Sequence, residues 1–176
     1  MQERFAAELV WAPFDLHPEY PPEGIPRAQL VARYGPEMLA QTAATFERHG
    51  LEYKPNPDIV PNSMKAQRLA EHARAEGLFE PMHERLMDAY WAEAQNIGDP
   101  DVLRRLAQEV GLDGADEILE SDAYLDVVRT STQRAHQHGI NGIPAFAIDM
   151  KLLVLGAQPR ETFERAFAEL DSEPEP

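Results

Sequence analysis

The chain has 176 residues, a net charge of −15 and no cysteine. Its own residues therefore cannot supply a disulfide, a catalytic thiolate, an iron–sulfur cluster or a cysteine-bound zinc. The acidic balance argues against nucleic acid or an anionic membrane held by bulk charge. With 43% hydrophobic residues, it can bury a core as one domain, or as one domain carrying a large insertion.

The first predicted element is a strand over Glu8–Leu16, apolar through Leu9, Val10, Trp11, Phe14 and Leu16, with Pro13 lacking a ladder donor. A proline-rich connection follows, with Pro18, Pro21, Pro22 and Pro26. From about Pro26 to Gly139 the pattern is helical. One helix spans Pro36–His49 and ends at Gly50; Pro57–Pro61 is a loop. Asn62 or Ser63 then caps a helix through Arg74, with Met64, Leu69 and Ala73 inward. Phe79–Gln95 repeats the pattern through Met82, Leu86, Tyr90 and Trp91. Asp99-Pro100-Asp101 is a strong helix start, and that helix stops at Gly111. Ser121 is read as the start of a helix ending at His138. Short apolar runs over Ala145–Asp149 and Leu152–Gly156 form a hairpin whose tip lacks the usual turn residues. Pro159–Leu170 closes the chain as an amphipathic helix, and residues 171–176 are an acidic, disordered tail. No apolar stretch approaches the roughly 20 residues of a membrane helix, and the N-terminus lacks a signal peptide's apolar centre. The expected compartment is the cytoplasm.

The most specific motif is Gly139-Ile140-Asn141-Gly142-Ile143-Pro144-Ala145-Phe146. A helix ends, a glycine-rich turn follows, and a proline leads directly into a strand. The turn resembles the one that carries a cis-proline in thioredoxin-like proteins. Further pieces, in order, resemble the DsbA-like, FrnE-type branch of that superfamily. They are Val10–Leu16, Pro21-Pro22-Glu23-Gly24, Asn62-Ser63 with Ala66–Leu69, Ala89-Tyr90-Trp91, Asn96–Asp99 and Gly156-Ala157-Gln158-Pro159.

The resemblance implies an α/β thioredoxin-like fold with a large all-helical insertion, incomplete at the N-terminus. It places the thioredoxin-like part at residues 1–25 and 139–170 and the insertion at 26–138. It implies thiol–disulfide exchange at a Cys-x-x-Cys pair on the first helix, where the helix N-terminus stabilises a thiolate. That strand and helix are expected upstream of Met1, so the chain as given is read as truncated and redox-inactive, with no catalytic residue of its own. The lost strand would lie between Glu8–Leu16 and Ala145–Ile148. Its removal leaves a gap of about 10 Å and predicts marginal stability, rearrangement or self-association.

The substrate-binding residues implied are Ile143 and Pro144, whose exposed backbone can pair with an extended peptide, and Asn62. Expected partners are a protein thiol, disulfide or peptide, or glutathione; no cofactor and no metal is called for. Two positions depart from the family. Gln67 stands where His is usual, and Met150 where Gly is usual, which strains a positive φ. The alternatives are a glutathione-dependent kappa-type isomerase or transferase, and a non-catalytic peptide-binding or assembly protein. Capping accounts for Asn62 without any function. His136 and His138 point to different helix faces. Glu80 with His83 is a single copy of a spacing that metal bundles need twice.

Overall fold

The computed structural model describes residues 5–172, with side chains through residue 170. The chain divides into two compact units: residues 17–130, and residues up to 16 together with those from 131 onward.

Within residues 17–130 the chain first makes a short antiparallel pair. Strand β1 (Ile25–Pro26) lies against β2 (Ile59–Val60), with Ile25 opposite Val60. Position 60 lies inside the stretch expected to be a loop. Two residues carry no readable alternation, so the pairing becomes visible only through its partner. Gly24 has φ +81°, and a Cβ there would collide with the Val60 carbonyl oxygen. Only glycine lets the two backbones approach so closely. The Arg27 guanidinium is buried and holds this corner, donating to the carbonyls of Asn56 at 2.5 Å and Ile59 at 3.2 Å.

Helices α1 (Arg27–Tyr34) and α2 (Glu37–Arg48) follow β1. After β2 come α3 (Met64–Ala75), α4 (Phe79–Trp91), α5 (Pro100–Glu109) and α6 (Ala115–Glu120). Helices α3, α4 and α5 place Leu69, Met82, Leu103 and Leu106 at zero exposure. Each fully buried side chain of this kind stabilises the fold by about 1.5–3 kcal/mol. Leu69 and Ala73 point inward as expected, whereas Met64 is half-buried. Helix α4 ends at Trp91, short of Gln95, because Ala94 turns the chain at φ 57°. Asp99 caps α5 as read from sequence, its carboxylate accepting from the Asp101 N–H at 2.8 Å.

Ser121 does not begin a helix. It ends the six-residue α6, and α7 (Leu125–Gln137) starts after a turn containing Tyr124 at φ 61°. Arg68 causes this interruption. It is buried and donates to the carbonyls of Ile118, Ser121 and Ala123, the last at 2.7 Å. The carbonyls at the C-terminus of α6 thus bond to a guanidinium instead of continuing a helix.

In the other unit, strand β3 (Ala145–Ile148) pairs antiparallel with β4 (Leu152–Leu155), Ala145 opposite Leu155. The hairpin matches the expected runs. Asp149 and Met150 take φ 50° and 55°, as a type I′ turn demands, and the Lys151 N–H closes it on the Ile148 carbonyl at 3.0 Å. Helix α8 (Arg160–Ser172) covers one sheet face. Ile148, Val154 and Ala166 are buried there, packed with Phe146, Phe163 and Phe167. The helix runs two residues past the expected end at Leu170; the rest of the expected disordered tail, 173–176, lies outside the described residues.

The expected strand over Glu8–Leu16 does not form. A strand needs a neighbouring strand to complete its ladder, and among the described residues no strand lies in a ladder with this segment. Helix α7 holds its end instead. Ser131 Oγ donates to the Pro13 carbonyl at 2.7 Å, and the Asp15 N–H donates to Thr132 Oγ1 at 2.9 Å. Leu9, Val10 and Trp11 stay exposed, Val10 at 71%.

Candidate functional site

The turn before β3 is built by the end of α7. Gly139, at φ 77°, donates to the His136 carbonyl, and Ile140 donates back to the Ala135 carbonyl at 2.9 Å. This bond pair is a Schellman stop, which glycine favours because it carries no Cβ penalty at positive φ. Asn141 Nδ2 then donates to the Gly139 carbonyl at 3.2 Å. The Ile143–Pro144 peptide bond is cis. Across the sheet, the Gly156 N–H donates to the Pro144 carbonyl at 2.8 Å and ties the turn to the end of β4.

Ile143 is 57% exposed, and among the described residues its backbone N–H and carbonyl make no hydrogen bond. A donor and an acceptor on one residue, at the start of a strand and open to solvent, can receive an extended peptide backbone. Charge has little part here, since no charged side chain lies between Gly139 and Ile148. In the same unit Phe14 lies edge-on to the His136 ring at 5.5 Å.

Ile143 and Pro144 thus share one turn, while Asn62 belongs to the other compact unit. Both functions of the Asn62 amide are engaged there. Nδ2 donates to the Tyr20 carbonyl at 2.8 Å, and Oδ1 accepts from the Met64 N–H at 2.9 Å. The side-chain cap at the start of α3 therefore comes from Asn62, one residue before the N-cap position Ser63, whose own side chain makes no cap bond. Gln67 Nε2 donates to Ser63 Oγ at 3.0 Å, while among the described residues its buried Oε1 has no partner. Gln158 Nε2 donates to the Leu155 carbonyl at 2.8 Å and fixes the exit from β4.

Among the described residues, no group of three or more His, Asp or Glu could hold a metal ion, and no helix is long and apolar enough to cross a membrane. His83 stacks on Phe79 at 5.4 Å. The sequence reading missed Ser131 and Thr132, the two hydroxyls that hold the 13–15 segment. Their only local signal was a pair of hydroxyl residues on a helix, which is too common to read.

The profile of the DSBA-like thioredoxin domain family matches residues 1–168. The Bacillus subtilis (strain 168) protein YwbO is 32% identical over 166 residues, covering 92% of this chain and 82% of that protein. A crystal structure of a probable DsbA oxidoreductase from Streptomyces coelicolor superposes with a TM-score of 0.87 at 27% identity, over 99% of this chain and 83% of that one. The cytosolic disulfide reductase DsbM from Pseudomonas aeruginosa, solved with GSH, superposes with a TM-score of 0.50 at 22% identity. That likeness covers 66% of this chain and 60% of DsbM and concerns the fold alone.

Proposed function

The chain belongs to the DSBA-like thioredoxin domain family, and from that premise we propose that it holds the polypeptide substrate in thiol–disulfide exchange, with the thiols coming from outside these 176 residues. The observation that carries this reading is the exposed Ile143, whose backbone donor and acceptor are open among the described residues. An added strand can pair there without any side-chain chemistry. The electron transfer itself needs a thiolate, and the sequence holds no cysteine. In this reading residues 1–25 and 139–170 are the thioredoxin-like part, 26–138 the helical insertion, and the cytoplasm the compartment. Asn62 is a cap in this reading, with any substrate contact secondary.

Titration of an extended, cysteine-containing peptide into the purified chain is expected to saturate. Ile143→Pro, which removes the open N–H, is expected to weaken binding at least about tenfold. Unchanged affinity in this variant would remove the site. In a disulfide-reduction assay the chain alone is expected to give no turnover, and turnover without added thiol would contradict the proposal. The alternative reading is a glutathione-dependent one. Calorimetric titration with glutathione separates it from peptide binding.

A further inference from the structure

We propose that Asn141 is a self-modification site. Its side-chain amide is lost to attack by the backbone nitrogen of Gly142, leaving an aspartate or an isoaspartate in the turn before β3. Such a step consumes only water, but it needs the next residue's nitrogen to be free and able to swing onto the side-chain Cγ. The residue after Asn141 is Gly142. A Cβ built there would meet no atom within 4 Å, so this peptide has room to rotate, and glycine adds the widest backbone freedom. Among the described residues the Gly142 N–H makes no hydrogen bond. Asn141 is exposed, and among the described residues its amide is held by a single bond, Nδ2 to the Gly139 carbonyl at 3.2 Å.

The sequence holds four asparagines, and the fold singles out this one. Asn56 is followed by Pro57, which has no N–H to give up. Its Oδ1 is also occupied by the N–H groups of Asp58 and Ile59. Asn62 has both amide functions engaged, with Tyr20 and Met64. Asn96 accepts from the Gly98 N–H at 3.0 Å, and the next residue, Ile97, is buried and β-branched, which crowds its nitrogen. The step at Asn141 balances without any redox change. The Gly142 nitrogen gives up its proton and bonds to Asn141 Cγ. The Cγ–Nδ2 bond breaks, and Nδ2 takes up a proton and leaves as ammonia. Water then opens the succinimide. Attack at Cγ gives an ordinary aspartate, and attack at the main-chain carbonyl carbon gives isoaspartate, whose backbone runs through Cβ and Cγ. Either product puts a negative charge into the stretch Gly139–Ile148, which has no charged side chain, and isoaspartate also lengthens the turn by a methylene. The modification is read without any peptide, so it stands or falls apart from the peptide-holding role proposed above; only its effect on binding rests on that role.

The test ages the purified chain in mildly alkaline buffer and reads it by peptide-mapping mass spectrometry, with enzymatic methylation of isoaspartate as a second readout. Loss of ammonia with gain of water is expected in the peptide holding Asn141, at least about tenfold faster than in those holding Asn56, Asn62 or Asn96. Gly142→Ala suits the turn, because its Cβ meets no atom and Gly142 is not among the glycines at positive φ. It is expected to slow the conversion at least about tenfold, with unchanged circular dichroism showing that the chain still folds. An Asn141 that stays intact in the aged chain overturns the proposal. So does a conversion no faster than that of the other asparagines, or a Gly142→Ala chain that converts as fast as the parent.

Discussion

His83 shows how one side chain in the helical unit couples to pH. Burial pushes its imidazole below the ordinary value, Glu84 opposes the shift and Arg74 adds to it. The unfolded chain then binds a proton that the folded chain resists. This stability is present above the unfolded value of 6.5 and is lost as pH falls through the folded value. Urea midpoints are expected to drop as pH falls below 6.5, and His83→Gln is expected to flatten that decline. Glu109 acts in a separate window. Its bonds to Arg85 and then Arg105 hold its carboxyl below 4.5, so its contribution is lost only in stronger acid. Arg68 carries the larger energetic role. Arg68→Met leaves the carbonyls of Ile118, Ser121 and Ala123 without their donor in a buried place. It should cost about 3 kcal/mol in urea unfolding; a loss below about 1 kcal/mol would mean that water takes over the three acceptors.

Among the elements, the β3–β4 hairpin was legible from two short apolar runs, and its weakness was legible too. Met150 stands at φ 55°, where a side chain costs about 1 kcal/mol or more relative to glycine. Met150→Gly is expected to slow amide exchange in β3 and β4, with a net gain of roughly 0.5 kcal/mol after the added freedom of the unfolded chain. Faster exchange would show that the exposed Met150 side chain, 74% accessible, makes a contact that outweighs the turn. The helices whose ends were read well are those with local stop and start chemistry: Asp99 before α5, and Gly139 after α7. The short α6 was missed because six residues carry too little periodicity, and because Arg68, some 50 residues away, decides where it ends.

For the whole molecule, the two units differ in how much they bury. Residues 17–130 enclose Leu69, Met82, Leu103 and Leu106 at zero exposure. Among the described residues, the buried hydrophobic ones of the hairpin unit are Ile148, Val154 and Ala166, at 8–9% exposure. Local opening follows such differences. Hydrogen exchange is expected to show α3–α5 protected up to global unfolding, with β3, β4 and α8 exchanging about a hundredfold faster. Uniform protection across both units would contradict this.

The sequence by itself determined the chemistry this chain lacks, since zero cysteines need no structure to interpret. It also determined the family, the helical middle, the hairpin, and Ile143–Pro144 as the place to look. These depend on residue type or on patterns repeated within a turn or two of chain. Tertiary structure alone decided that Glu8–Leu16 forms no strand, that Ile25 finds Val60, and that Asn62 is engaged in a cap. A strand is completed by a partner distant in sequence, and a polar side chain by whatever group folding brings within 3 Å or so, so neither can be read from its own neighbourhood.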